Sequence, residues 1–395
     1  MSEKTMDNRG SKSTADFSTS TKHKSAVVKE QRVDGSWQVG YASCLRYTLI
    51  GFERNRLVNV LSKNKIQSYK RYYTMGMTKL SSSLPTSIKT CVINPWFVTG
   101  FTDAEGCFMI QVRKRKNNWY SEARFVIALH KKDLPLLNLI QAYFGGKGSI
   151  LKHGKDSYQY IIGSIEDITT KVLPHFDMYP LISKKYSDYL LFKEAVKTIH
   201  SENHLTPERK MTRKLLMEKI VAIKASLNRG LSSELKISFP NTVPVPRPIV
   251  KNNSIPHQEW VAGFTSGEGC FIIKTSVSRD TTLGYGVQLR FQITQDGRDE
   301  LLMKNLVDYF GCGRVVKNVE HNGNIVYFYV TKYSDIWDKI IPFFRQYNII
   351  GEKLKDFEDW SRAGEIIKTK SHLTKEGLGQ ILKLKAGSNK GRSSS

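Results

Sequence analysis

A duplicated motif constrains this chain more than any other feature of its sequence. Residues 96–108 read Trp-Phe-Val-Thr-Gly-Phe-Thr-Asp-Ala-Glu-Gly-Cys-Phe, and residues 260–271 read Trp-Val-Ala-Gly-Phe-Thr-Ser-Gly-Glu-Gly-Cys-Phe. Each stretch is typical of a short helix that ends at a glycine, which we expect in the left-handed conformation common after helices. Glu105 and Glu268 then fall in the last turn, where the helix dipole disfavours a carboxylate. The pattern therefore indicates a nearby positive charge, such as a divalent metal ion.

Other repeated segments show that a whole domain is duplicated. The segment Phe144-Gly-Gly-Lys recurs as Phe310-Gly-Cys-Gly, and Leu173-Pro-His-Phe recurs as Ile341-Pro-Phe-Phe. The separation between copies stays nearly constant, which predicts two similar domains and excludes a short solenoid repeat. We place an N-terminal extension at residues 1–93 (with 1–35 disordered), a first domain at 94–235, a proline-rich extended linker at 236–258 and a second domain at 259–391.

Alternation of side chains predicts that strands with one apolar and one basic face follow each motif helix. In the first copy Met109, Gln111, Arg113 and Arg115 alternate with Phe108, Ile110, Val112 and Lys114. The remaining predictions for the first domain are a second strand at about 120–130, a helix from Asp133 to a stop at Gly145, strands at about 148–153 and 157–163, a helix near 165–176, a helix that opens at Lys185, and a helix from Pro207 to Leu227.

The charge of the chain favours a polyanionic partner. Lys and Arg number 61 against 36 Asp and Glu, which gives a formal net charge of +25. A membrane partner is not expected, because no run of about 18 apolar residues occurs. The five cysteines show no C-x-x-C spacing, which argues against a zinc site.

Small residues in both motifs predict that the two motif helices pack side by side. Thr99-Gly100 and Ala262-Gly263 would let the two backbones approach closely. Glu105 and Glu268 would then meet at the helix ends, where two carboxylates suit Mg²⁺ or Mn²⁺. Paired metals of this kind serve in-line phosphodiester cleavage. The alternative is two surface glutamates with no chemistry.

The two motifs resemble the LAGLIDADG motif of homing endonucleases. The resemblance extends over about residues 94–391 and is closest to the single-chain, two-motif, I-OnuI-like enzymes of fungal mitochondrial group I introns. It implies an α+β fold of two αββαββα domains related by a pseudo-twofold axis, with antiparallel, saddle-shaped sheets on DNA. Ser266 departs from the motif, since it stands where the first copy has Asp103, and Gly267 stands where alanine is usual.

The resemblance also implies a set of site residues. Glu105 and Glu268 would hold the metals, and whether the backbone at position 104 adds a ligand is left open. Lys185 and Lys353, with Lys184 as a neighbour, would stabilise the scissile phosphate, and Gln288 would be a polar neighbour of the site whose counterpart is Glu122. DNA contacts are expected from the polar strand faces, namely Gln111, Arg113, Arg115, Arg124, Lys274, Ser276, Ser278, Gln288, Arg290 and Gln292.

The resemblance and the strand pattern together imply a monomeric, site-specific endonuclease of the mitochondrial matrix. It would cut both strands of an asymmetric DNA target of about 20 base pairs and promote intron mobility. Arg and Gln at alternate strand positions can bind guanine and adenine edges in the major groove. Two alternatives remain at this stage. One is a maturase of the same fold that acts on intron RNA, and the other is a non-catalytic basic protein.

Overall fold

The computed structural model describes residues 29–31, 37–39 and 93–388, except 117, 204–209, 251–253, 280 and 319–323. The extension predicted at residues 1–93 therefore lies almost wholly outside the described residues. Its described parts are strands β1 (Lys29–Gln31) and β2 (Trp37–Val39), which pair antiparallel. The prediction of disorder over residues 1–35 falls on residues outside the described part of the chain, apart from β1.

Each half of the described chain has the predicted order of elements. The first half contains α1 (Pro95–Glu105), β3 (Gly106–Arg115), β4 (Asn118–His130), α2 (Leu134–Tyr143), β5 (Ser149–Lys152), β6 (Ser157–Ile162), a helical turn (Ile165–Asp167), a π-helix (Ile168–Val172), α3 (Leu173–Met178), α4 (Lys185–Asn203), α5 (Lys210–Ala225) and α6 (Ser233–Ser238). The second half contains α7 (Gln258–Glu268), β7 (Gly269–Val277), β8 (Tyr285–Asp296), α8 (Glu300–Phe310), β9 (Arg314–Lys317), β10 (Ile325–Val330), a helical turn (Tyr333–Asp335), a π-helix (Ile336–Ile340), α9 (Ile341–Gln346), α10 (Lys353–Lys368) and α11 (Lys375–Gly387). The αββαββα order predicted for each domain is confirmed. The helix predicted near 165–176 contains a π-helical stretch, as does its counterpart, and Pro207 lies outside the described residues.

Each half has one antiparallel four-stranded sheet. The strand orders are β3-β4-β6-β5 and β7-β8-β10-β9. Phe108 pairs with Phe125 and Phe271 pairs with Phe291, so equivalent residues set the register in both sheets. These rings are buried, and the helices of each half cover this apolar face. The opposite face carries the polar alternate residues.

The two motif helices, α1 and α7, cross in direct backbone contact. A Cβ on Gly100 would lie 2.0 Å from the carbonyl oxygen of Trp260, and a Cβ on Gly263 would lie 2.1 Å from that of Phe97. The two contacts are reciprocal, as a pseudo-twofold axis requires. The prediction that small residues pack the helices side by side is confirmed.

The glycines that end the motif helices do not have the predicted left-handed conformation. Gly106 has φ −76° and Gly269 has φ −70°, both with extended ψ. Glycine is required by space instead, because a Cβ on Gly106 would lie 2.4 Å from Cγ2 of Thr102 as the chain turns directly into β3. The glycine predicted to stop α2 does lie in the left-handed region, with φ +73° at Gly145.

The connection between the halves is fixed to the first half. Its start differs from the predicted extended linker, because Ser232 caps α6 and the helix continues to Ser238. Residues 242–250 have neither helix nor strand. The hydroxyl of Ser187 donates to the carbonyl oxygen of Pro248 (2.7 Å), and the guanidinium of Arg247 lies 2.8 Å from a carboxylate oxygen of Asp188. Over the described residues, none of the helices has the length and apolar character needed to span a membrane.

Candidate active site and nucleic-acid interface

The structure brings the two motif glutamates to one place. Glu105 is the last residue of α1, and Glu268 is the last residue of α7. Gly267 packs against the end of α1, since a Cβ there would lie 2.3 Å from Cβ of Ala104 and 3.2 Å from Cγ of Glu105. Both glutamates are half-buried. The departure from alanine at position 267 therefore leaves room for the side chain of Glu105 beside Glu268.

The donor set at the helix ends fits a hard divalent cation. Glu105 and Glu268 supply carboxylate oxygens, which Mg²⁺ and Mn²⁺ prefer. Within the part of the chain that the structure describes, no group of three or more His, Cys, Asp and Glu side chains is arranged to hold a metal. A metal at this place would have two protein carboxylates and would complete its coordination with water and phosphate oxygens.

Two lysines supply positive charge at the carboxyl ends of the motif helices. Nζ of Lys185 donates to the carbonyl oxygens of Thr102 (3.0 Å) and Ala104 (3.2 Å), and Nζ of Lys353 donates to that of Gly267 (2.6 Å). An ammonium group at this end of a helix interacts favourably with its dipole. The positive charge that the sequence indicated is therefore present in the protein itself. The backbone carbonyl at position 104, left open as a metal ligand, accepts a hydrogen bond from Lys185.

Asp103 fixes the segment that precedes Lys185. Oδ1 accepts hydrogen bonds from N (3.2 Å) and Oγ (2.6 Å) of Ser183, and Oδ2 accepts from the backbone N–H of Ile182 (3.1 Å) and from Nε1 of Trp260 (2.8 Å). Burial raises the pKa of Asp103, while these hydrogen bonds and the charge of Lys185 lower it. The serine hydroxyl in turn accepts from the backbone N–H of Lys185 (3.1 Å).

Ser266 has the corresponding role in the second half with a shorter side chain. Its hydroxyl accepts from the backbone N–H of Ile350 (3.1 Å) and donates to the carbonyl oxygen of Ala262 (2.8 Å). The bond between Asp103 and the indole of Trp260 has no equivalent, because phenylalanine stands at position 97, which corresponds to 260. The second motif thus has Ser266 where the first has Asp103, and the residue opposite it on the other motif helix also differs, being Phe97 in place of Trp260.

Gln288 does not lie beside the motif glutamates. The register pairs it with Lys274, which is five residues along β7 from Gly269. At about 3.3 Å per residue this places it roughly 17 Å along the strand from the helix end. Gln292, predicted as a DNA contact, is instead the glutamine near the site, because it pairs with Cys270. Its amide donates to the hydroxyl of Thr294 (3.2 Å).

The polar face of the first sheet carries the predicted arginines together with an acidic residue. The carboxylate of Glu122 lies 3.3 Å from Arg115 and 2.7 Å from Arg124. Arg113 donates a hydrogen bond to the side-chain oxygen of Gln111. Glu122, the counterpart of Gln288, is therefore paired with two arginines of this face.

The second sheet presents a different set of side chains. Lys274 and Ser276 are exposed on its polar face, and Ser278 lies just beyond the end of β7. The guanidinium groups of Arg290 and Arg314 lie 5.2 Å and 4.9 Å from the ring centroid of Tyr329. The two sheets thus differ at equivalent positions.

Sequence analysis missed the residues that β9 and β10 add to this face. Tyr329 pairs with Gln292 on one side and with Arg314 on the other, so all three lie on one face of the sheet. The signal was present in the alternation of tyrosines with Val326, Phe328 and Val330, which are buried.

Comparison with known proteins gives a consistent result. The sequence matches the LAGLIDADG endonuclease family over residues 98–196 and 261–363. The probable intron-encoded endonuclease 3 of Neurospora crassa is 41% identical over 389 residues, covering 96% of this chain and 69% of that protein. The solved structure of the I-SmaMI LAGLIDADG homing endonuclease bound to cleaved DNA is 47% identical, with a TM-score of 0.71, and covers 76% of this chain and 98% of that chain. That of the LAGLIDADG homing endonuclease I-GzeII in complex with a DNA target is 42% identical, with a TM-score of 0.71, covering 76% and 100%.

Each family match begins within one motif helix, contains the four strands of one sheet and ends within the lysine-bearing helix that follows. The two matches cover the two halves in turn, and the crossing of α1 with α7 joins them. The chain therefore belongs to the LAGLIDADG endonuclease family, with two motif-bearing domains in a single polypeptide.

Proposed function

We propose that this protein is a site-specific endonuclease that hydrolyses both strands of a long, asymmetric DNA target with the aid of divalent metal ions held between Glu105 and Glu268. The observation that carries the proposal is the meeting of two half-buried carboxylates at the ends of α1 and α7, between two polar sheet faces. RNA binding alone would not require paired carboxylates at this place. The Neurospora crassa relative, a probable intron-encoded endonuclease, supports a role in intron mobility. The proposed origin in mitochondria rests on the family resemblance.

The chain's own residues would bind and orient the reacting groups. A bound divalent ion, Mg²⁺ or Mn²⁺, supplies Lewis acidity and a water of lowered pKa. Glu105 and Glu268 hold their carboxylates at the two helix ends. Lys185 uses two of its three N–H groups on the carbonyl oxygens of Thr102 and Ala104, which leaves one for a phosphate oxygen or a water. An ammonium fixed there stabilises the negative charge that develops on the pentacoordinate phosphate.

The sheets would set the length and asymmetry of the target. A ten-residue strand such as β3 spans about 30 Å, which matches roughly nine base pairs at about 3.4 Å each. Two halves then cover on the order of 20 base pairs. Because the two polar faces carry different residues, the two half-sites are expected to differ in sequence. One chain provides both halves, so we expect a monomer.

Replacement of either motif glutamate tests the proposal. The target is first selected from a library of randomised duplexes by cleavage in the presence of Mg²⁺. Glu105→Gln or Glu268→Gln should reduce double-strand cleavage at least 1,000-fold and leave DNA affinity within a few-fold of the parent, because the carboxylates serve chemistry and the strands hold DNA.

Glu376→Gln is the matched control, since it removes an exposed carboxylate from the first turn of α11 and keeps both helix-terminal glutamates. It should retain cleavage within about tenfold of the parent. Cleavage by Glu105→Gln or Glu268→Gln at the parent rate would contradict the assignment of the metal site.

A further inference from the structure

Two aspartates at the starts of α2 and α8 do not cap their own helices. Asp133 and Asp299 occupy the N-cap positions of these helices, where an Asp side chain commonly accepts from the first-turn N–H groups. Neither makes such a bond. Both side chains are buried, at 5% and 9% exposure. Burial raises the pKa of Asp299 to about 6.

Each aspartate instead accepts a hydrogen bond from the start of a helix in the other half. Oδ1 of Asp299 accepts from the backbone N–H of Lys184 (2.8 Å), and Oδ1 of Asp133 accepts from the backbone N–H of Glu352 (2.8 Å). These amides immediately precede α4 and α10. Gly351, with φ +95°, lets the chain pass the carboxylate of Asp133, since a Cβ there would lie 2.5 Å from Oδ1.

The residue after each of these amides is the lysine that reaches a motif-helix end. Lys185 follows Lys184 and donates to carbonyl oxygens at the end of α1, and Lys353 follows Glu352 and donates to one at the end of α7. A carboxylate of one half therefore fixes the helix that aims the lysine of the other half. The same connection occurs in both directions.

We propose that Asp133 and Asp299 are positioning residues that hold the lysine of the opposite half in place, so that cleavage of each DNA strand depends on an aspartate from the other half. The inference rests on the proposed function for the role of the lysines. The pseudo-twofold axis relates the two lysines, and by that symmetry each acts on one of the two strands.

Strand-resolved cleavage separates this role from general support of the fold. The selected duplex is labelled differently on its two strands, and cleavage of each is followed over time. Asp299→Ala should slow one strand at least tenfold more than the other, and Asp133→Ala should give the opposite bias, because small displacements of a catalytic group reduce rates steeply. Asp299→Asn and Asp133→Asn keep an acceptor oxygen and should restore the parent ratio.

Tyr143→Phe is the matched control for lost stability. Tyr143 is the last residue of α2, the helix that follows Asp133. The substitution removes the hydrogen bond that its hydroxyl donates to His175 (2.8 Å). It should lower stability without favouring either strand. Equal slowing of both strands in the two alanine variants, or a bias in the same direction, would overturn the proposal.

Hydrogen–deuterium exchange gives a second readout that does not need cleavage. Asp299→Ala should speed exchange at residues 182–187 with little change at 350–355, and Asp133→Ala should do the reverse. Unchanged exchange at both helix starts would overturn the positioning role. Failure of the unmodified protein to cut any duplex, with the reciprocal exchange pattern present, would instead count against the proposed nuclease function.

Discussion

The carboxylate of Asp103 accepts four hydrogen bonds, from Ile182, from the backbone and hydroxyl of Ser183, and from the indole of Trp260. These groups come from the segment before α4 and from α7. A buried carboxylate is tolerated only when such partners are present. Asp103 thus contributes to the site by joining three of its elements, while metal binding is proposed for Glu105.

His175 is a second buried polar residue near the motif helix. Oγ1 of Thr99 donates to the carbonyl oxygen of Tyr179 (2.9 Å), so its proton is already used. Nε2 of His175 therefore donates to Oγ1 of Thr99 (3.1 Å), and Nδ1 accepts from the hydroxyl of Tyr143 (2.8 Å). Burial lowers the pKa of His175 to about 3, so the imidazole is neutral in the folded protein.

We expect this histidine to make the fold sensitive to acid. Below its ordinary pKa of 6.5 the unfolded chain binds a proton that the folded chain excludes, so stability is lost as pH falls below 6.5. The loss between pH 7.5 and 5 should be about 2 kcal/mol from this group. Urea unfolding at the two pH values measures it. In His175→Gln the pH dependence should decrease by that amount, and an unchanged dependence would contradict the prediction.

The residues that sequence could identify were those carried by the repeated motif. Glu105 and Glu268 stand in register in two copies, so their convergence followed from the duplication. The position of Gln288 depends on strand register relative to the helix end, which single-strand alternation does not fix. Asp133 and Asp299 have the same local signature as ordinary helix caps, so their partners in the other half could not be inferred from neighbouring residues.

At the scale of elements, the crossing of α1 and α7 determines where the site lies. The helices touch through Gly100 and Gly263 with no room for a side chain. Side chains from the turn after α5 and from α10 also bind the outer strands β3 and β7, which begin at this crossing. The amide of Asn228 donates to the carbonyl oxygen of Phe108 in β3 (2.8 Å), and the indole of Trp360 donates to that of Ile272 in β7 (3.2 Å). Each bond occupies one carbonyl group of an outer strand and makes that group unavailable for pairing with another chain.

Gly100→Ala should destabilise the protein by about 3 kcal/mol or more, because the added methyl group would meet the backbone of α7 and force the helices apart. Thermal and urea unfolding measure the change. Gly379→Ala in α11 is the control, since a Cβ there has nothing within 4 Å. It should stabilise by about 0.5–1 kcal/mol through helix propensity. Equal effects of the two substitutions would show that the crossing tolerates separation.

Element order was well predicted because the alternation along β3 and β4 and the repeated segments are strong local signals. The conformation of Gly106 was predicted wrongly for a physical reason. A glycine after a helix signals either a left-handed turn or a lack of space, and only the position of Thr102 distinguishes the two.

At the scale of the whole molecule, basic residues on two sheet faces would neutralise DNA phosphates. The net charge of +25 favours release of counterions on binding. Part of the positive charge lies on the helices and is paired with acidic residues there, as in the ion pair of Lys219 with Glu194 (3.1 Å). The basic residues on the polar faces of the two sheets are expected to carry much of the salt dependence.

DNA binding should weaken steeply with salt. Contacts to six to ten phosphates predict a slope of about −5 to −9 for the logarithm of the affinity against that of the salt concentration. Fluorescence anisotropy over a salt series measures it. Arg115→Gln should make the slope shallower by about 0.9, because this exposed side chain is expected to contact a phosphate, and Lys219→Gln should leave the slope unchanged. A slope shallower than about −2 in the parent would show that the charge lies elsewhere.

The unequal partners at the crossing of the motif helices bear on the history of the chain. Asp103 accepts from Trp260, whereas the corresponding positions hold Ser266 and Phe97. In a homodimer of the first half, each buried Asp103 carboxylate would face a phenylalanine. In a homodimer of the second half, each Trp260 indole would face a serine whose hydroxyl already accepts a hydrogen bond from the backbone N–H of Ile350. The two halves are therefore not interchangeable at the crossing. A symmetric pairing of either half with itself would lose the hydrogen bond between Asp103 and Trp260.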